Sequence, residues 1–139
     1  ITLHIWDTAG EERYKCLVPM YFRGSSVLVV VFDVTSRINF NQAKEWCSMV
    51  LKDDEGNFDV FVVGNKIDLQ RVIPISEGDQ FAKSINATYI ETSAKTGENI
   101  DSLFNQIAET IAQNQDLLAS ASHQDISQQT EKTPRTCCS

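Results

Sequence analysis

Apolar residues follow two rhythms along this chain. Ile1 to Trp6 alternates apolar with polar positions before Asp7-Thr8-Ala9-Gly10, the period of a strand with one face buried. Val27-Leu28-Val29-Val30-Val31-Phe32 and Val60-Phe61-Val62-Val63 are instead unbroken β-branched runs, as expected of central strands covered on both faces. Helical spacing marks three further segments: Phe40 to Leu51 with Ala43, Trp46, Cys47 and Val50 inward, Ser76 to Ser84, and Asn99 to Ala112 with Ile100, Leu103, Phe104, Ile107 and Ile111 inward. Strand and helix alternate. This predicts an α/β fold, a parallel sheet with helices on both faces and ligands bound where loops leave the carboxyl ends of the strands.

Beyond about Asn114 the chain turns to Gln, Ser, Thr and Asp and ends in Thr133-Pro134-Arg135-Thr136-Cys137-Cys138-Ser139. Residues 1–113 therefore read as one folded domain and 114–139 as a flexible tail, whose reach as a coil is roughly 25 to 30 Å. No apolar run approaches the roughly 18 to 20 residues that span a bilayer. The chain opens at Ile1 inside a strand pattern and without Met, from which a longer native protein is expected.

Composition narrows the possible partners. The 139 residues suit a single hydrophobic core, and 42% hydrophobic with 22% charged residues is ordinary for a globular chain. Twelve basic residues against 19 acidic ones, a net charge of -7, exclude nucleic acid as the main partner, because phosphate backbones are bound through surplus Lys and Arg. Cys137 and Cys138 are adjacent, while Cys16 and Cys47 lie in apolar segments, so the four cysteines have neither metal-ligand spacing nor the look of a disulfide framework.

The polar residues at predicted strand ends carry the chemistry. Asn65-Lys66-Ile67-Asp68 follows the Val60 run, and a carboxylate there can accept two parallel hydrogen bonds from the ring and exocyclic N–H groups of guanine; adenine offers no such pair. Glu91-Thr92-Ser93-Ala94-Lys95 follows the next strand, with the Ala94 N–H placed for the guanine carbonyl and Ser93 placed to steady Asp68. Trp6-Asp7-Thr8-Ala9-Gly10 ends the first strand with a carboxylate suited to magnesium through water and a Gly that lets the backbone approach a terminal phosphate. Each motif alone is an ordinary polar turn. All three in this order, each after a strand, would arise by chance on the order of once in a million chains.

With these motifs the chain resembles the Ras superfamily, and Trp6-Asp7-Thr8-Ala9-Gly10, Tyr21-Phe22-Arg23-Gly24 and Cys137-Cys138 make it similar to the Rab family. Leu17-Val18-Pro19-Met20-Tyr21-Phe22-Arg23-Gly24 is similar to the early-endosomal branch. The resemblance implies a P-loop NTPase-type parallel-sheet sandwich, the small G domain. It also implies a GTPase switch of vesicle-mediated transport that uses GTP/GDP and Mg2+. Residue by residue it implies that Asp7 supports magnesium and Gly10 senses the third phosphate. Asn65 and Asp68 would read guanine, Lys66 and Lys95 would pack their stems on the base, and Ser93 with Ala94 would complete the pocket. Trp6 and Tyr21 match an effector surface. Cys137 and Cys138 look like a doubly geranylgeranylated tail, two lipid chains being what stable anchoring requires. The implied partners are effectors, an exchange factor, a GTPase-activating protein and the Rab escort and prenylation machinery. The implied setting is a monomer on the cytoplasmic face of endomembranes, with a cytosolic pool.

Two departures stand against that pattern. The family's hydrolytic Gln is replaced by Glu11, whose negative charge beside an anionic phosphate predicts slow turnover. The 139 residues also contain no Gly-x-x-x-x-Gly-Lys-Ser/Thr loop. The domain is thus expected to lack its first strand, P-loop and first switch, to leave an apolar sheet face open, and to bind nucleotide poorly by itself. The alternative function is a truncated, non-catalytic, membrane-tethered module that binds effectors through Trp6 and Tyr21.

Overall fold

The computed structural model describes residues 2–7, 24–53 and 58–127. Strands β1 (Val27–Asp33), β2 (Asp59–Asn65) and β3 (Thr88–Glu91) form one parallel sheet in the order β1-β2-β3. Parallel neighbours cannot be joined by a tight turn. The crossovers are α1 (Arg37–Asp53), between β1 and β2, and α2 (Ile75–Ser84), between β2 and β3, and α3 (Ile100–Ser127) follows β3. Register runs from Val27 opposite Asp59 to Asp33 opposite Asn65, and from Phe61 opposite Thr88 to Gly64 opposite Glu91. Asp33, Asn65 and the residues just after Glu91 therefore finish together at one edge of the sheet.

The unbroken apolar run of β2 is explained by its two buried faces. Val60 and Val62 join Phe32, Val34, Phe40, Ala43, Ile73 and Ala82 in the core on the α1 and α2 side; Phe61 and Val63 join Leu103 and Ile107 of α3 on the other. Helix α1 begins where Ser36 Oγ accepts a hydrogen bond from the Asn39 N–H at 3.2 Å, a side-chain cap on an otherwise unpaired donor. Ala43, Cys47 and Val50 face inward as their spacing predicts. Burial pushes the Cys47 thiol up to about 11, which suits packing and leaves it a poor nucleophile.

Four expectations are corrected. Residues 2–7 contain neither strand nor helix: Leu3 packs on the α3-side core, but Ile5 and Trp6 are 70% and 78% exposed. Alternation marks a face that can be buried, whereas a strand also needs a ladder partner, and among the described residues β1 pairs with β2 alone. Among the described residues the Val27–Phe32 run therefore stands at the edge of the sheet, paired on one side only. Val29 and Val31 lie exposed on the open apolar face that the sequence led us to expect, because α3 covers Val27 but not the rest of that row. Phe104 is exposed, since α3 meets the sheet through the narrow row Leu103, Ile107 and Ile111. Finally, α3 continues past Asn114 to Ser127. Composition there measures how little can be buried, whereas helix formation also follows intrinsic propensity, which Leu117, Leu118, Ala119 and Ala121 supply.

Candidate functional site

The loop after β2 is held between its two neighbouring strand ends. On one side the Val34 N–H donates to the Asn65 carbonyl at 3.0 Å. On the other the Thr92 N–H donates to the Gly64 carbonyl at 2.8 Å, and the Ile67 N–H to the Thr92 carbonyl at 3.3 Å. Between Asn65 and Ile67 the chain reverses through Lys66, which has φ +69, a left-handed conformation uncommon for a residue with a Cβ. That reversal directs the polar side chains of Asn65 and Asp68 toward the loop after β3. There the fully buried Ser93 donates from Oγ to Asp68 Oδ1 at 2.6 Å, and the Ala94 N–H donates to Asn65 Oδ1 at 3.0 Å. Asp68 itself is exposed, so its carboxylate is braced from below and open to a ligand from above.

Two carboxylates stiffen this frame. Glu91, at the end of β3, receives two bonds from the Arg71 guanidinium at 2.9 and 2.8 Å and one from Tyr89 Oη at 2.7 Å. Burial opposes its charge, but the bonds from Arg71 and Tyr89 outweigh it and hold the carboxyl below its usual range. Tyr89 is pushed the other way, up, by burial and by the Glu91 bond. Asn99 Nδ2 donates to the Glu91 carbonyl at 2.8 Å, tying the start of α3 to the same strand end. At the end of β1, Asp33 accepts from the Thr35 N–H at 2.8 Å, from Thr35 Oγ1 at 2.6 Å, and from Lys66 Nζ at 2.6 Å. Burial again opposes its charge, and the Lys66 and Thr35 bonds lower its pKa regardless.

The sequence-predicted residues therefore fall into three groups. Asn65, Lys66, Asp68, Ser93 and Ala94 come together, and the expected Ser93–Asp68 contact is present; Lys95 stands exposed beside them. The Ala94 N–H, expected to face a ligand carbonyl, is engaged by the Asn65 side chain. Asp7 and Trp6 lie in the segment before residue 8, both exposed, and Asp7 makes no hydrogen bond to another described residue. A single hard oxygen donor fits magnesium through water, although no group of three or more His, Cys, Asp or Glu gathers among the described residues. Gly10, Glu11, Tyr21, Cys137 and Cys138 lie outside the described residues.

Sequence reading missed Asp33, Thr35, Arg71 and Tyr89. Asp33 had a signal: it ends an apolar run just as Asn65 does, and the parallel register sets the two opposite each other. Arg71 had none, because its partner Glu91 lies 20 residues away, and Tyr89, two positions before Glu91 on β3, reads in sequence as an ordinary strand aromatic.

A sequence model of the Ras family matches residues 1–113. Over 116 residues the chain is 41% identical to a ras-related protein named Rab-5B from Dictyostelium discoideum, a match that covers 82% of this chain and 54% of that protein. The chain thus spans about half the length of the curated relative it matches. No helix among the described residues is long and apolar enough to cross a membrane.

Proposed function

The chain belongs to the Ras family, as a Rab-type small GTPase, and from that premise we propose that it carries the base-reading half of a guanine-nucleotide switch acting in vesicle-mediated transport. The observation that supports this most directly is the exposed Asp68 carboxylate braced by buried Ser93, beside the Asn65–Ala94 hydrogen bond. A carboxylate so fixed can accept the two parallel N–H groups on one edge of guanine, and neither Lys nor a backbone carbonyl can do the same. Asn65 and the Ala94 N–H would turn from each other to the base, Lys66 and Lys95 would lay their stems on its faces, and Asp7 would hold magnesium through water. Magnesium, when bound, offsets the charge on the phosphate oxygens.

The finer reading follows the same residues. GTP would be hydrolysed slowly because Glu11 cannot offer the donor that an amide gives the attacking water, and Gly10 would report the third phosphate. Trp6, exposed in the described segment, and Tyr21 would meet effectors, while Cys137 and Cys138 would carry two prenyl groups to an endosomal membrane.

Binding of GDP and ADP by the full-length native protein tests the premise. Asp68→Ala is expected to weaken GDP about 10- to 100-fold, the effect of leaving two donors unpaired at about 1 to 3 kcal/mol. Equal GDP affinity in that variant would refute the assignment. Complete lack of GDP binding by the unaltered protein would leave the membrane-tethered effector-binding module, which needs Trp6 and the tail but no nucleotide. Glu11→Gln is expected to speed single-turnover GTP hydrolysis about tenfold, or about 1.4 kcal/mol in barrier; an unchanged rate would remove Glu11 from the account.

A further inference from the structure

The geometry points to Asp33 as a positioning residue for the base-reading loop, holding Lys66 so that Asn65 and Asp68 present their side chains together; the inference rests on the nucleotide reading above. Three observations carry it. Asp33 is the last residue of β1 and the register partner of Asn65, so it stands directly beside the loop it would hold. Its carboxylate is fixed before Lys66 arrives: both Thr35 bonds go to Oδ1, leaving Oδ2 for Lys66 Nζ at 2.6 Å. The side chain of Asp33 is 14% exposed and that of Lys66 52%, so the anchor is the carboxylate and the held group is the ammonium. Lys66 meanwhile occupies φ +69, a conformation that a side chain with a Cβ leaves readily when nothing holds it. The loop therefore has two clamps, one from Ser93 and Ala94 and one from Asp33.

An ion pair with a half-exposed lysine adds little to global stability. Its effect is expected in the loop. Removing Asp33 frees Lys66 to relax toward an ordinary backbone conformation, and Asn65 and Asp68 then lose their common orientation.

Two readouts on Asp33→Asn test this in the full-length native protein. The first, hydrogen exchange without nucleotide, follows the Ile67 and Ala94 amides, which donate to the Thr92 carbonyl and to Asn65 Oδ1. Exchange at both is expected to quicken about tenfold, with the melting temperature moving by no more than about 2 °C, and Asp33→Glu is expected to restore part of the protection. The second is release of a fluorescent GDP, expected to quicken about tenfold. Unchanged exchange overturns the positioning role whether or not nucleotide binds. A melting temperature that falls in step with faster exchange overturns it as well, by showing a merely structural part. Faster exchange in a protein that retains no GDP would leave Asp33 holding the loop and overturn the nucleotide reading alone.

Discussion

Phe40→Ala is expected to destabilise the folded protein by about 3 to 5 kcal/mol, the range for truncating a fully buried aromatic side chain. Phe40 is 1% exposed and sits where α1, β1 and α2 meet. Its ring lies 4.8 Å from that of Phe32 and 5.8 Å, edge on, from that of Phe81, with Lys44 Nζ 4.6 Å from its centroid. Truncation removes all of these contacts at once, and the sheet below cannot collapse into the gap because Val62 is fixed by pairing on both sides and Val60 by pairing with β1. Since a domain has about 5 to 15 kcal/mol in all, the loss is a large share of the total. In urea it corresponds to a midpoint lowered by about 2 M for a slope near 2 kcal/mol per molar. Phe104→Ala, a truncation of the same ring at an exposed site, is expected to stay within about 1 kcal/mol. Equal losses at the two positions would mean that α1 does not pack as described.

Gly78→Val should destabilise by about 3 kcal/mol, against what helix propensity alone would suggest. A Cβ on Gly78 would stand 2.4 Å from both Cζ and Oη of Tyr89, closer than real contacts permit. Tyr89 cannot turn aside freely: its hydroxyl is bonded to Glu91, and the same ring end lies against Gly64, where an added Cβ would stand 2.9 Å from Oη. The ring thus fits between one glycine on α2 and another on β2. Gly78→Ala is expected to destabilise as well, by about 1 to 2 kcal/mol, although Ala ordinarily favours a helix over Gly by about 1 kcal/mol. The mechanism is separable by a double-mutant cycle. With Tyr89→Leu in place, Gly78→Ala should become neutral or stabilising, and an unchanged penalty would show that the ring is not the obstacle.

The layers of the fold were legible because burial on both faces leaves an unbroken apolar run, as in Val60 to Val63, and helical spacing leaves a stripe, as in Ala43, Cys47 and Val50. The loops at the strand ends were legible for a different reason: Asn65, Asp68, Ser93 and Ala94 are types whose hydrogen-bonding pattern suits few other tasks in combination. What pattern could not supply was anything that depends on a neighbour remote in sequence. Among the described residues, 2–7 have the alternation of a strand without a partner, and Val29 and Val31 have the composition of a central strand without a second ladder or a covering helix. Phe104 counts as apolar on a helical wheel, yet the width of the contact made by α3 decides its burial. Asp33 and Arg71 act through residues 33 and 20 positions away respectively, and only the register of the sheet sets Asp33 beside Lys66.

The sheet order β1-β2-β3 is also the order of synthesis. Each strand leaves the ribosome after its partner and docks against an edge that is already available, one crossover of about 30 residues later. At about 5 to 20 residues per second, each pairing follows its predecessor within a few seconds. No strand among those described has to be inserted between two others, so assembly can proceed as successive additions to a growing edge. The loop that contains Lys66 and the braces of Ser93 and Ala94 are then completed last, when β3 arrives.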